Sequence, residues 1–337
     1  MVRIARTAWA HYCCCVGETT EEAKMNESAA SCALSPFLTA VRIALVVLYY
    51  VATSFAQTGA QTLAYQFSHA ASMDPTLSPD GKEMVYIMVI AGKEQLMRRA
   101  LDGSYVRQLT TDPTDHEDPA WSPDGKHIAF VLIEGNREQI QIMNPDGSGV
   151  EPLTPPDVKT IHPGWSPDSR LVAYCMDDDR APPKKNASDI FSIEVATRKI
   201  TRLISGGVNT YPVWSPDGKR IAFRRMLGET NSEVFVANAD GSDAQNLTND
   251  PAFDGWPAWS PDGKKIAFAS NRGNQNYQIY TMNPDGSGIQ LVARTEGRGT
   301  APKWSPDGKT IYFTICKKVG FGTDCQIYAA KLDAFLT

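Results

Sequence analysis

The string Ser-Pro-Asp-Gly recurs along this chain with its serine at Ser78, Ser122, Ser215, Ser260 and Ser305, and once as Ser-Pro-Asp-Ser at Ser166. Successive serines stand 44, 44, 49, 45 and 45 residues apart. Directly before five of them sit Trp121, Trp165, Trp214, Trp259 and Trp304, while Leu77 takes that place in the first copy. The protein has seven tryptophans, so most of them serve one repeat position. Six in-phase copies mark an array of like units, each of which buries its core only against its neighbours.

Each unit has the same internal order. After Ser-Pro-Asp-Gly comes an alternating segment such as Ile128-Ala129-Phe130 or Ile266-Ala267-Phe268, then a polar stretch, then a second segment such as Gln278 to Met282. That segment ends in a turn of the type Asn144 to Gly147, Ala239 to Gly241 or Asn283 to Gly286. A short third segment closes on Leu-Thr, at Leu109-Thr110, Leu153-Thr154 and Leu247-Thr248. About ten residues later the next tryptophan ends another segment. Period-2 alternation reads as strand, and the turn chemistry is plain: Pro presets φ, Asp bonds the backbone two residues on, and Gly takes positive φ. Four strands in a repeat of about 40–45 residues is a propeller blade.

The fold expected is therefore all-β, a six-bladed β-propeller of four-stranded antiparallel blades. Its closure is expected from the N-terminus: Thr62 to Phe67 lies where the outer strand of a preceding blade belongs, and only four residues follow Asp333. Pairing that segment onto the last blade leaves no open sheet edge.

The strings Trp-Ser-Pro-Asp-Gly-Lys-x-Ile-Ala-Phe and Ile-Tyr-x-Met-Asn-Pro-Asp-Gly-Ser-Gly resemble the TolB-type propeller repeat. That repeat occurs in the TolB family and in the propellers of prolyl-oligopeptidase-like and tricorn-like proteases. The resemblance covers about residues 60–337 and implies the fold; its shared residues are turn and core residues, which carry little functional information. TolB proteins carry an α/β domain ahead of the propeller, whereas about twenty residues separate Ala56 from the first repeat here. The protease relatives add a hydrolase domain, and no Gly-x-Ser-x-Gly nucleophile turn occurs in this sequence.

Upstream, Ile43 to Ala52 is a run of ten apolar residues preceded by Arg42 and followed by Thr53-Ser54-Phe55-Ala56. A basic residue, a short apolar core and a small-residue exit are the parts of a secretory signal. The expectation is an N-terminal extension with signal peptide or retained anchor over residues 1–56, the propeller over 57–337, and a periplasmic or secreted location. Of seven cysteines, Cys175, Cys316 and Cys325 then remain. Cys316 and Cys325 bracket one inter-strand connection and are expected to form a disulfide in an oxidising compartment. The run Cys13 to Cys15 is given no metal. A net charge of −5 excludes a nucleic-acid binder that works by neutralising phosphates.

Within each blade the two kinds of turn lie on one face, and both are tight. The variable connections lie on the other, where binding is expected. From the strand-two aromatic to the strand-three aliphatic, separations are 10, 10, 16, 11, 11 and 14 residues, the long ones following Tyr174 and Phe313. The first of these long loops, Asp177 through Lys185, carries three adjacent Asp residues but none of the spacing of a calcium loop. Connections running into the inner strands should crowd the channel mouth. They supply the candidate partner-binding residues Asp74, His116, Asp118, His162, Tyr211, Asp254, Trp256 and Arg298, with Trp256 an extra tryptophan suited to stacking or anchoring.

No nucleophile, acid–base pair or cofactor fingerprint accompanies this scaffold, and no catalytic residue, cofactor or metal is assigned. The expected function is an exported, non-catalytic, monomeric propeller that binds a protein, peptide or glycan partner on its loop face, as a TolB-like protein would. One alternative is a metal-dependent lyase or hydrolase using His69, His116 and His162 at the channel mouth. Another is an envelope structural component touching the membrane only through an uncleaved N-terminal anchor.

Overall fold

The computed structural model describes residues 65–66, 72–177, 188–273, 276–319 and 322–332. The expected extension and signal or anchor over 1–56 lie outside the described residues, as do His69 and residues 178–187 of the acidic loop.

Among the described residues, twenty-four strands follow one another. A short β1 (Tyr65–Gln66) is followed by β2 (Ser72–Leu77), β3 (Glu83–Ile90), β4 (Lys93–Ala100) and β5 (Val106–Gln108). Next come β6 (Asp115–Trp121), β7 (Ile128–Glu134), β8 (Arg137–Met143) and β9 (Glu151–Pro152), then β10 (Lys159–Trp165), β11 (Leu171–Asp177), β12 (Ser188–Glu194) and β13 (Ile200–Ile204). The chain continues through β14 (Val208–Trp214), β15 (Arg220–Met226), β16 (Ser232–Asn238) and β17 (Gln245–Asn246), and through β18 (Asp254–Trp259), β19 (Ile266–Ser270), β20 (Gln278–Met282) and β21 (Gln290–Ala293). It ends in β22 (Arg298–Trp304), β23 (Thr310–Val319) and β24 (Gly322–Lys331).

These strands build an all-β propeller of antiparallel blades. Strands β2 to β5, β6 to β9 and β18 to β21 are four-stranded sheets in chain order, and β22 to β24 make a fourth with β1 added to the outer edge of β24. The remaining eight strands form one sheet instead of two separate blades. Its antiparallel groups, β10 to β13 and β14 to β17, touch through the single parallel pair Ser188 and Val208. The link is local: Gly206-Gly207 turns the chain sharply after β13, and the Ser188 N–H donates to the Gly207 carbonyl at 3.0 Å.

The Ser-Pro-Asp-Gly turns make this arrangement repeat. Ser78 Oγ donates to Asp80 at 2.6 Å and accepts the Glu83 N–H at 2.9 Å, while Asp80 accepts the Lys82 N–H at 3.1 Å. The same set recurs at Ser122, Ser166, Ser215, Ser260 and Ser305. Serine and aspartate therefore satisfy turn donors locally, as a tight strand connection requires. The turns also abut in a circle: Pro79 packs towards Gly125, Pro167 towards Gly218, Pro216 towards Gly263 and Pro261 towards Gly308. Pro306 packs towards Gly81, so the last turn meets the first. Where Ser169 replaces glycine, its hydroxyl accepts the Asp124 N–H at 3.0 Å.

The core lies between neighbouring sheets. Trp121 packs with Val85, Ile87 and Leu96 of the preceding sheet, and Trp165 with Ala129, Val131 and Ile140. The indole N–H of Trp165 donates to the Ala120 carbonyl at 2.9 Å, and that of Trp304 to Ala258 at 3.1 Å. The repeat length thus equals the sequence separation of inter-sheet contacts. A blade cannot bury its tryptophan without its predecessor.

The expected long loop after Phe313 is an extended ribbon. Strands β23 and β24 pair from Thr310↔Lys331 to Val319↔Gly322, with Cys316 directly opposite Cys325 and the two joined as a disulfide. Alternation continuing through Thr314 to Val319 carries pairing past the point where the other hairpins stop. Cys175 is buried.

Glycine in the second turn type has a steric role that a substitution exposes. At Gly241, φ is +85° and a Cβ would fall 1.8 Å from the Leu203 carbonyl oxygen of β13, in the other half of the same eight-stranded sheet. At Gly92, φ is +80° with nothing within 4 Å. Gly92→Ala should therefore cost about 1 kcal/mol from the left-handed backbone alone, and Gly241→Ala about 3 kcal/mol or more because a packed backbone must also move. Urea unfolding of both variants checks this, and equal losses would contradict the assigned packing.

Candidate functional site

Each innermost strand carries a β-bulge at the same place. In β2 the register jumps from Met73↔Ile87 to Thr76↔Val85, so Asp74 and Pro75 face the single residue Tyr86. The same two-against-one arrangement sets Asp118-Pro119 against Phe130, His162-Pro163 against Tyr174 and Tyr211-Pro212 against Phe223. It also sets Trp256-Pro257 against Phe268 and Ala301-Pro302 against Phe313. The six opposing aromatic rings are buried. A bulge leaves one residue outside the ladder, and proline fits there because it has no N–H to leave unpaired. The residue ahead of each proline has positive φ: Asp74 50°, Asp118 50°, His162 55°, Tyr211 56°, Trp256 53° and Ala301 50°. Aspartate and histidine tolerate this backbone better than most, but Tyr211, Trp256 and Ala301 rarely adopt it; such strain persists only where the fold over-determines it.

The bulges turn all six residues onto one cavity. Asp74, Asp118, His162, Tyr211, Trp256 and Ala301 line it together with Lys303, two positions further along β22. Its free volume is about 60 Å³, room for a few waters or the end of one side chain.

The lining is divided by chemistry. His162, Tyr211 and Trp256 form an aromatic arc, with ring centroids 3.7 Å apart for His162 and Tyr211 and 5.5 Å apart for Tyr211 and Trp256. Asp74 and Asp118 form the acidic arc. The Asp74 N–H donates to Thr314 Oγ1 at 2.9 Å, joining the first inner strand to the last sheet. Asp118 accepts the His162 N–H at 3.3 Å and lies 3.8 Å from its Nε2.

Burial pushes the Asp118 carboxyl up to about 7, Asp74 adds to the rise, and the His162 N–H and the Lys303 ammonium oppose it. Burial also lowers the Lys303 ammonium, against the attraction of Asp74 and Asp118. Behind them Glu117 is held well above the usual carboxylate range, by burial first and by the Glu94 charge second. The acidic arc thus sits at a charge balance that changes near neutrality.

Five of the eight candidate residues therefore meet at one cavity, namely Asp74, Asp118, His162, Tyr211 and Trp256. The other three do not line it. His116 is 2% exposed, 3.2 Å from Asp112 and packed on Phe130. Asp254 is fully buried and 2.6 Å from Arg272. Arg298 lies over Trp256 and Tyr277 at 5.5 and 4.8 Å. Residues that selection from connecting segments passed over are Ala301 and Lys303. The signal that finds Ala301 is in the sequence: an x-Pro pair ends three residues before every Ser-Pro-Asp serine, at Pro75, Pro119, Pro163, Pro212, Pro257 and Pro302. Among the described residues, no group of three or more His, Cys, Asp or Glu is placed to hold a metal ion.

Comparison with known proteins follows this architecture. The profile of the TolB beta propeller domain matches residues 50–181 and 134–334. The Tol-Pal system protein TolB of Anaeromyxobacter dehalogenans is 52% identical over 42 residues, 12% of this chain and 9% of that protein. Among solved structures, a TolB from Agrobacterium tumefaciens superposes with a TM-score of 0.62 at 23% identity, covering 80% of this chain and 96% of that one. TolB from Acinetobacter baumannii gives 0.58 at 21% identity over 69% of this chain and 57% of that one. The chain thus spans less than two thirds of the Anaeromyxobacter and Acinetobacter proteins.

The raised Asp118 carboxyl has a definite consequence for stability. Its folded pKa of about 7 lies above the unfolded value, so folding favours the protonated form and stability falls as pH rises from about 4 through 7. Asp118→Asn removes this term. The variant should match the wild type near pH 4 and exceed it by about 2 kcal/mol at pH 8.5, allowing for loss of the Lys303 attraction. Denaturant unfolding at the two pH values checks it, and a difference independent of pH would contradict the assignment.

Proposed function

The chain belongs to the TolB β-propeller domain family, and on that footing we propose that it is an exported, non-catalytic propeller that holds a segment of a partner protein at its channel mouth. The observation that carries this reading is the ring of six bulge residues. Backbone geometry is the same at all six, while the side chains range from Ala301 through two aspartates to His162, Tyr211 and Trp256. A scaffold that fixes position and varies chemistry is suited to recognition.

The reading takes the ring as six-bladed, counting the eight-stranded sheet as two blades because its halves share one residue pair. A cavity of about 60 Å³ favours a protein segment with one inserted side chain over a glycan, whose rings would need more room. An acidic arc facing an aromatic arc gives such a segment a fixed orientation. Support for a periplasmic location comes from the signal-like stretch before Gln57 and from a relative named as a Tol-Pal system protein. Support for a protein partner comes from the same relative. The histidine metal reading loses support at His116, which is buried against Asp112 and Phe130 and away from the cavity.

Substitution at the bulges separates recognition from folding when asparagine is used, since it tolerates positive φ. His162→Asn with Tyr211→Asn should reduce capture of the partner from an envelope extract about tenfold or more, while the melting temperature stays within a few degrees. Undiminished capture by the folded double variant would overturn the channel-mouth reading.

A further inference from the structure

Away from the channel, a groove of about 410 Å³ lies between the sheet β6 to β9 and the β10 to β13 group. The channel-mouth cavity holds about 60 Å³. The groove falls within the roughly 300–1,000 Å³ of small-molecule sites. Its apolar walls and floor come from Pro152, Leu153, Pro155, Pro156, Ile193 and Ile200. Leu153 and Ile193 are buried beneath it, and Ile200 is 39% exposed.

The connection from β9 to β10 accounts for the open space. In the equivalent connection from β17 to β18, the Asp250 N–H donates to Glu233 Oε1 at 3.0 Å and draws the chain onto β16. Counting from Leu153-Thr154 and from Leu247-Thr248, Pro156 stands where Asp250 does. Proline has no N–H to give, and neither has Pro155 before it. The chain is held to β8 two residues earlier, where Gln139 Nε2 donates to the Thr154 carbonyl.

Polar side chains at the groove leave donors available and their acceptors engaged. Gln139 Oε1 accepts from Arg137 Nη2 and Gln141 Nε2. Thr154 Oγ1 is engaged with the Ile140 N–H at 3.1 Å and with Thr160 Oγ1 at 2.6 Å. Arg137 lies two residues before Gln139 on the same face of β8 and puts a cation at the loop-face end. Its Nη1 is 3.5 Å from Glu134, which is 61% exposed, and its Nε–H has no acceptor among the described residues. The guanidinium carries more N–H donors than these two bonds use, and so loose an exposed pair exchanges readily. At the far end Arg198 is paired with Glu151 at 2.6 Å. Pro152 pairs with Gln141, four residues along β8 from Arg137, so the groove runs about 13 Å from its cationic end at the rise of a strand.

A ligand that fits has an extended apolar body and one terminal group that accepts hydrogen bonds and carries negative charge. A peptide would bury its own N–H groups against prolines and aliphatic side chains, at a cost in unmade hydrogen bonds. A carboxylate suits the guanidinium because it accepts paired N–H donors. We propose that this groove binds an aliphatic monocarboxylate, a medium-chain fatty acid, with its carboxylate on Arg137 and its chain along Leu153, Ile193 and Ile200. The site is independent of the channel-mouth reading, which concerns a protein partner.

The test titrates octanoate, its uncharged counterpart octanamide, and butyrate into the folded propeller, followed by NMR of methyl signals. Octanoate should shift the Leu153, Ile193 and Ile200 methyls. It should bind about fivefold more tightly than octanamide and about tenfold more tightly than butyrate. The preference for charge should vanish in R137Q and persist in R137K, and the preference for chain length should fall in Ile200→Asn, whose side chain is already part exposed. Octanoate binding should be unchanged in His162→Asn with Tyr211→Asn. Equal binding of octanoate and octanamide, shifts that leave these three methyls unmoved, or a charge preference that survives R137Q would overturn the site. So would loss of octanoate binding in the His162 and Tyr211 double variant, which would place the ligand at the channel mouth. The octanoate and octanamide comparison and the position of the shifts need no variant, so they decide the matter even where a substitution unfolds the protein.

Discussion

The six in-phase β-bulges are the constraint on which the rest of this molecule depends. Each places two residues of an inner strand, the second a proline, against one buried aromatic of the next strand. The aromatic fixes the blade core, the proline occupies a position where no ladder donor is needed, and the preceding residue is forced to positive φ. Core packing and channel lining are thus two results of one local geometry. A change in the aromatic layer disturbs the channel, and the side chain ahead of the proline varies widely even though Trp256 and Ala301 also pack into the core. Ala301 and Trp256 occupy equivalent positions and show how wide that variation is.

Charge then divides a ring that the backbone makes regular. Asp74, Asp118, Glu94 and Glu117 gather on the first two sheets, and their mutual repulsion and burial hold Asp118 and Glu117 protonated more readily than free carboxyls. Lys303 replaces the small residues found at its equivalents Ala120, Gly164 and Ala258 and brings one ammonium to this acidic arc. Opposite stand the aromatic arc and the arginines that lie over it. On the channel-mouth reading proposed above, binding would depend on orientation as much as on contact area, because the two arcs differ in charge.

Most of the fold was legible because its determinants are local and repeated. Ser-Pro-Asp-Gly satisfies its own turn donors, and tryptophan before it has no burial site except the preceding blade. The extended ribbon of β23 and β24 was read as a loop, since alternation through Thr314 to Val319 is mixed with lysines and does not stand out from a polar connection. The joining of β12 to β14 was not legible, because it turns on how closely Gly206-Gly207 returns the chain. At the site, Asp74, Asp118, His162, Tyr211 and Trp256 were found as polar or aromatic residues near inner strands. Ala301 was missed because its chemistry is bland, although the proline after it keeps the period. His116 and Asp254 lie on the same strands as channel residues, but the side-chain direction there depends on a bulge that hydrophobic patterning alone does not reveal. The contacts of Arg224 and Arg298 with Tyr211, Phe253, Trp256 and Tyr277 join residues from β14, β15, β18 and β22 and from the connections ahead of β18 and β20, and have no local signature at all.

The central claim is that recognition takes place at the bulge ring and not on the outer edges of the blades. Replacing Tyr211 with the photo-reactive residue p-benzoylphenylalanine, and separately replacing Tyr105, which is 39% exposed on an outer edge, tests it inside the cell that makes the protein. The account expects a covalent adduct with one partner protein from position 211 and none from position 105. An adduct from position 105 with none from position 211 would contradict it.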